Sequence, residues 1–149
     1  MLDMIGSAKD AVWATVAGEV EFGLLSESTG PSVQQRTSER MEDDNIYRNI
    51  LYLHPPAPSL RALRGVYQAV NIPDGRIELH IDFGMLWATA PAPDEITQVD
   101  GVIFEAGFLL SANGEEVNLL PRTTCVHDGS IERFIVDAGA IAGKLVQLT

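Results

Sequence analysis

Arg76-Ile77-Glu78-Leu79-His80-Ile81-Asp82-Phe83 alternates without a break. Successive side chains of an extended backbone point to opposite faces, so Ile77, Leu79, Ile81 and Phe83 share one side and Glu78, His80 and Asp82 the other. That is the pattern of a half-buried strand, apolar towards an interior and polar towards water. Immediately before it stands Pro73-Asp74-Gly75. Glycine adopts the positive φ of tight hairpin turns without strain, so residues 63–72 and 76–83 are expected to form a hairpin. The same punctuation recurs at Asn113-Gly114 and Asp128-Gly129, each between β-branched and aromatic runs. The chain therefore reads as an antiparallel all-β protein.

Gly18 to Leu24 sets Val20, Phe22 and Leu24 against Glu19 and Glu21, which predicts a first strand. Residues 25–45 are polar and broken by Gly30-Pro31. A structureless loop of about twenty residues is uncommon in a compact domain, so a short edge strand is expected near Val33 to Thr37. Ile46 to Leu53 is apolar and is stopped by His54-Pro55-Pro56, because proline lacks the N–H a ladder needs. Gly101 to Leu110 alternates Val102, Phe104, Ala106 and Phe108 against Ile103, Glu105 and Gly107, then turns through Asn113-Gly114 into Val117 to Cys125. Ser130 to Val136 and Lys144 to Thr149 complete the pattern, and Ala90-Pro91-Ala92-Pro93-Asp94 reads as a connector between sheets. About eight strands at this spacing suit a sandwich or barrel. Residues 1–17 carry Leu2, Ile5, Val12 and Val16 at roughly helical spacing, weakened by Gly6 and by β-branched residues around Trp13. They are expected to be an N-terminal arm, with a single domain over 18–149.

The 149 residues suffice for one domain with a core, and 46% hydrophobic against 21% charged residues excludes bulk disorder. Asp and Glu number 21 against 10 Lys and Arg, a formal charge of −11. So negative an envelope repels phosphate backbones and anionic lipid surfaces, so neither nucleic acid nor membrane is expected as a partner. Cys125 is the only cysteine, which excludes an internal disulfide framework.

The segments Asn49-Ile50-Leu51-Tyr52-Leu53-His54-Pro55-Pro56, Leu63-Arg64-Gly65-Val66-Tyr67, Ile72-Pro73 and Asp100-Gly101-Val102-Ile103-Phe104 follow one another in a characteristic order. With Ala11 and Trp13 ahead of Gly18 and Phe22, and Asp128-Gly129 and Ala142-Gly143-Lys144 late in the chain, the sequence resembles the carbohydrate-binding β-sandwich modules of the galactose-binding-like group. The resemblance covers most of residues 11–149. It implies a jelly-roll of two antiparallel sheets that binds a glycan or cell-surface polysaccharide without chemistry, as part of a longer extracellular or cell-surface bacterial protein. Modules of that kind continue with a further strand carrying tryptophan, whereas this chain stops at Thr149. The comparison thus implies an open C-terminal sheet edge, and with it an alternative: a structural or adhesive domain forming a homo-oligomer through that edge.

Sugar binding needs an aromatic platform for the apolar ring face and polar groups for the hydroxyls. Trp87, just past a strand and before the proline-rich connector, is the candidate platform; the competing reading has it plugging one end of the sandwich. Trp13 and Tyr52 lean towards the core. His80 and Asp82 share the outward face of one strand and are the candidate polar contacts, although a solvated sheet face produces the same pattern. Glu42, Asp43 and Asp44, beside Asn45, supply clustered oxygens suited to calcium, the one cofactor the sequence suggests, against the reading of a plain acidic loop. Cys125, His127 and Asp128 have the residue types of a nucleophile and base but lack an evident oxyanion hole. Glu78, Asp82 and Glu105 are carboxylates that could pair for glycoside cleavage only at a set separation. No catalytic residue is assigned, and the chain is expected not to be an enzyme.

Overall fold

The computed structural model describes residues 3–24, 30–55, 62–87 and 101–149. A helical turn, α1 (Met4–Ser7), is capped by the Asp3 carboxylate, which accepts from the Gly6 N–H. The rest is dominated by strands: β1 (Val12–Thr15), β2 (Gly18–Glu19), β3 (Ser32–Arg40), β4 (Ile46–His54), β5 (Arg64–Val66), β6 (Val70–Asn71), β7 (Glu78–Phe83), β8 (Val102–Leu110), β9 (Glu116–Cys125), β10 (Glu132–Asp137) and β11 (Leu145–Leu148). Among the described residues these form antiparallel sheets in the orders β2-β1-β5, β3-β4, β10-β7 and β6-β11-β8-β9. The all-β expectation therefore holds. The proline-rich connector at 90–94 lies outside the described residues.

Two hairpins follow the local sequence. In β8–β9 the hairpin forms, but through a four-residue loop in which Leu110 N–H donates to Glu115 O and Gly114 N–H to Leu110 O, both at 2.8 Å; Gly114 is left-handed at φ +71 and Asn113 is not, so this is not the two-residue turn that Asn-Gly favours. The edge strand expected near Val33 is present and longer, for β3 pairs with β4 from Ser32↔His54 to Arg40↔Ile46. β7 keeps its alternation: Glu78, His80 and Asp82 are exposed, while Leu79, Ile81 and Phe83 are partly buried.

Five expectations are corrected. Pro73-Asp74-Gly75 bends the chain, but its flanks do not pair, since β6 joins β11 and β7 joins β10. Asp128-Gly129 likewise carries the chain from β9 into another sheet rather than closing a hairpin. A turn fixes a few dihedrals locally and does not choose the strand's partner. The strand foreseen over Gly18 to Leu24 shortens to β2, followed by a single parallel bridge from Phe22 to Val33, and Leu24 is exposed. The N-terminal arm is part of the folded body, because β1 lies between β2 and β5 and Ala8 and Trp13 are buried in the core. Finally, β11 is an interior strand flanked by β6 and β8, with Val146 and Leu148 buried. Among the described residues the last strand is therefore paired on both sides rather than left as an edge.

Phe108, Ile141, Val33 and Val146 are the largest fully buried side chains, drawn from three different parts of the topology. Phe83 stacks on Phe104 at 4.4 Å and on Phe134 at 5.6 Å between centroids, which fastens the inner face of β7–β10 onto β8. Trp13 anchors the other end. Its Nε1–H donates to Ala8 O at 2.8 Å, its ring meets Tyr67 edge-on, and it lies against the backbone of β5. A Cβ on Gly65 would come within 2.5 Å of the indole ring, so only glycine admits that approach. Gly65→Ala is expected to lower stability by about 1–3 kcal/mol through overpacking. Urea denaturation followed by circular dichroism reads it as an earlier midpoint at unchanged slope, and an unmoved midpoint contradicts the packing.

Candidate functional site

The turn between β3 and β4 spans Met41 to Asn45. Met41 N–H donates to Asn45 O and Asp44 N–H to Met41 O, both at 2.9 Å, with Asp44 in the left-handed region at φ +68. Aspartate and asparagine tolerate that conformation, which is why this polar run makes a tight turn. Glu42 points inward from it and is only 3% exposed. Its carboxylate accepts from Met85 N–H at 2.6 Å, Asp128 N–H at 2.9 Å and Gly129 N–H at 3.3 Å. Its own N–H donates to Met85 O at 3.0 Å, and Met41 bridges Leu86. Residues 84–87 are thus laid along the hairpin tip.

That arrangement brings Trp87 beside Arg40. The indole is 43% exposed, and the Arg40 guanidinium sits 4.3 Å from the ring centroid while pairing with Asp44. A cation over an aromatic face is attracted by the ring quadrupole. On the other side of the turn, Asp43 accepts from Asn45 Nδ2 at 2.9 Å and from Tyr47 Oη–H at 2.8 Å. The Asn45 side chain first, then Tyr47, hold its carboxyl below the usual range. Arg133 donates to Tyr47 Oη at 3.2 Å, which raises the guanidinium's pKa, and its Nε lies 3.7 Å from Asp82. His80, one step along β7 and facing the same way as Asp82, has Nε2 3.5 Å from Glu78.

Two sets of contacts therefore start from adjoining residues of the turn, one from Asp44 through Arg40 to Trp87 and the other from Asp43 through Tyr47 and Arg133 to Asp82. The acidic run, Trp87 and Asp82 come to one end of the molecule, and His80 flanks them. Arg40, Tyr47 and Arg133 were missed by sequence reasoning. Arg40 lay in a stretch read as loop, and nothing local pairs Tyr47 with Arg133 across 86 positions.

The three proposed calcium ligands diverge: Glu42 into backbone N–H groups, Asp43 onto Asn45 and Tyr47, Asp44 onto Arg40. Among the described residues no group of three His, Cys, Asp or Glu side chains is arranged to hold a metal ion. Trp13 is in the core, and Tyr52 is partly buried with Arg36 3.7 Å above its ring. Glu78, Asp82 and Glu105 are each engaged by a separate arginine, at 2.9 Å from Arg76, 3.7 Å from Arg133 and 3.4 Å from Arg122. Asp128 accepts from the Ser130 hydroxyl at 2.6 Å, the main cause of its lowered pKa. His127 Nε2 is buried without a hydrogen-bond partner.

A separate small groove of about 170 Å³ is lined by Met4, Tyr67, Val70 and Leu148 with Asp10 at its margin. It falls short of the roughly 300–1,000 Å³ of ordinary small-molecule sites. Compared with protein-family models, with curated proteins and with solved structures, the chain matches none.

Cys125 is buried, and its thiol faces the Glu42 carboxylate at 4.0 Å. Burial first, then the negative charges of Glu42, Glu132 and Asp128, push its pKa from 9.0 up to about 11. The thiolate is the nucleophile, so this cysteine is held in its unreactive form. Iodoacetamide is expected to leave native protein unmodified at pH 8 and to label it in denaturant. Because the folded state keeps a proton that the unfolded thiol releases near pH 9, this contribution to stability is whole below about pH 9 and is lost as pH rises towards 11. Rapid labelling of native protein at pH 8, read by mass spectrometry, contradicts the assignment.

Proposed function

We propose that this protein is a non-catalytic carbohydrate-binding module with a galactose-binding-like jelly-roll fold, and that a glycan rests on Trp87. The observation that carries the reading is the half-exposed indole at the tip of the β3–β4 hairpin, beside a strip of donors and acceptors. A sugar presents C–H groups on one face, which an aromatic ring accepts, and hydroxyls at its rim, which need both kinds of hydrogen-bonding group. Arg40 and Arg133 donate only, Asp44 and Asp82 accept only, and His80 completes the strip. The sandwich part of the proposal draws on the antiparallel sheets and on the Phe83 stack between β7–β10 and β8.

The non-catalytic part has its own support. A glycosidase needs two carboxyls across a cleft, one of them kept protonated. Here the candidate carboxylates are spread over separate arginine partners, and the one thiol is held protonated. The resemblance to glycan-binding modules adds the proposed setting, a secreted or cell-surface protein of which this chain is a part.

Affinity gel electrophoresis against a panel of soluble polysaccharides tests the proposal. Retention by at least one is expected, with Trp87→Ala raising Kd tenfold or more, about 1.4 kcal/mol. Asp82→Asn and His80→Ala are expected to weaken retention less. Absence of retention by every polysaccharide, or full retention of Trp87→Ala, contradicts it.

A further inference from the structure

A glutamate is almost never fully buried unless its charge is met. Glu42 is buried, and the partners its carboxylate has are neutral: three backbone N–H groups and the Cys125 thiol. Hydrogen bonds from N–H to an ionised oxygen are about twice as strong as those between neutral groups. They offset the cost of desolvation only while the donors stay in place, so the segments that carry the donors are held as firmly as the carboxylate itself. Those segments are 84–87 and 127–129. The first of them ends at Trp87.

We infer that Glu42 is a positioning residue for the Trp87 platform: its buried carboxylate fixes the segment bearing the indole and ties that segment to the loop ahead of β10. The inference rests on the glycan-binding reading for its functional meaning and on geometry alone for its structural part. Glu42 saturates Met85 from both sides, accepting its N–H at 2.6 Å and donating to its carbonyl at 3.0 Å. With the Met41–Leu86 bridge this makes a bracket that ends one residue before Trp87. Beyond the bracket, the Arg40 guanidinium stacks on the ring. The second carboxylate oxygen reaches Asp128 and Gly129, joining two loops that are more than forty positions apart in sequence.

Gly84 admits the bracket. A Cβ there would stand 3.0 Å from Glu42 Oε1 and 2.5 Å from Ile131 Cδ1. The isoleucine methyl swings aside easily, whereas the carboxylate is pinned by its donors. An alanine at this place therefore displaces Glu42 by a few tenths of an ångström without adding or removing charge. A shallow sugar site depends on a platform already in its bound position, because any ordering left until binding is subtracted from affinity.

The experiment uses the two tryptophans. Trp13 is buried and Trp87 is half exposed, so iodide-quenchable emission belongs to Trp87, and Trp87→Ala identifies it. Glu42→Gln keeps the shape but turns an amide N–H₂ towards N–H donors. In Glu42→Gln with an unchanged circular dichroism spectrum, the expected results are shifted emission and altered quenching of Trp87, with about tenfold weaker Kd for the best polysaccharide. Gly84→Ala is expected to do the same to a lesser degree, and it carries the test if Glu42→Gln does not fold. Gly65→Ala, destabilised in the remote core, is the control and is expected to leave Trp87 emission and Kd unchanged. Wild-type emission and quenching in Glu42→Gln and Gly84→Ala overturn the inference while leaving the Trp87 platform standing. Changed emission with unchanged Kd overturns its functional half. Absence of glycan binding by the wild-type protein sinks the glycan reading instead, and the emission data still decide whether Glu42 positions the indole.

Discussion

A carboxylate removed from water must be given donors that cannot drift away, and in this protein the Glu42 carboxylate obtains them from three backbone N–H groups and the Cys125 thiol. Three N–H groups from two separated loops converge on a side chain supplied by a third. The local consequence is mechanical. The tip of β3–β4, the segment after β7 and the loop before β10 cannot move independently, because any one that withdraws leaves a buried charge short of a donor, at a cost of several kcal/mol. A two-stranded sheet is marginal by itself, and among the described residues β3–β4 and β7–β10 are both two-stranded. Glu42 and the Phe83 stack fasten them to the rest, the one by hydrogen bonds and the other by apolar burial.

The same constraint organises the exposed end of the molecule. Glu42 faces inward while its neighbours Asp43 and Asp44 face outward, and these two acids order Tyr47 and Arg40 respectively. Arg40 in turn lies on Trp87, and Arg133 spans from Tyr47 to Asp82. A chain with an excess of acids thus sets one arginine, Arg40, against its exposed indole and a second, Arg133, between Tyr47 and Asp82. The outcome is a strip of alternating charge with an aromatic end, which is the basis of the proposed recognition of a hydroxylated ligand.

Much of this was legible from residue order, and the parts that were not share a cause. The alternation of Arg76 to Phe83 specified β7 and its faces, Asn113-Gly114 specified the β8–β9 hairpin, and His54-Pro55 marked the end of β4, because these signals act over a few residues. Pairing partners act over the whole chain. Pro73-Asp74-Gly75 and Asp128-Gly129 give bends without hairpins, Trp13 draws a segment that looks like an arm into the core, and β11 inserts between strands distant in sequence. In the site, Trp87, His80 and Asp82 could be proposed because aromatic and polar residues next to strands are visible in sequence. Glu42 was grouped with Asp43 and Asp44 as a possible calcium ligand, since burial of one acid among three neighbours has no local signature. Arg40, Tyr47 and Arg133 became part of the strip only through contacts between remote strands.

Amide hydrogen exchange on the native protein measures the central constraint most directly. Met85, Asp128 and Gly129 lie outside the strands, where an amide without a partner exchanges at close to the unprotected rate. If the buried carboxylate holds them, all three exchange at least a hundredfold more slowly than that, with protection approaching that of the β7 and β9 interiors. Exchange of any of the three at the unprotected loop rate contradicts the account, because the carboxylate would then lack the donors on which the rest of the structure depends.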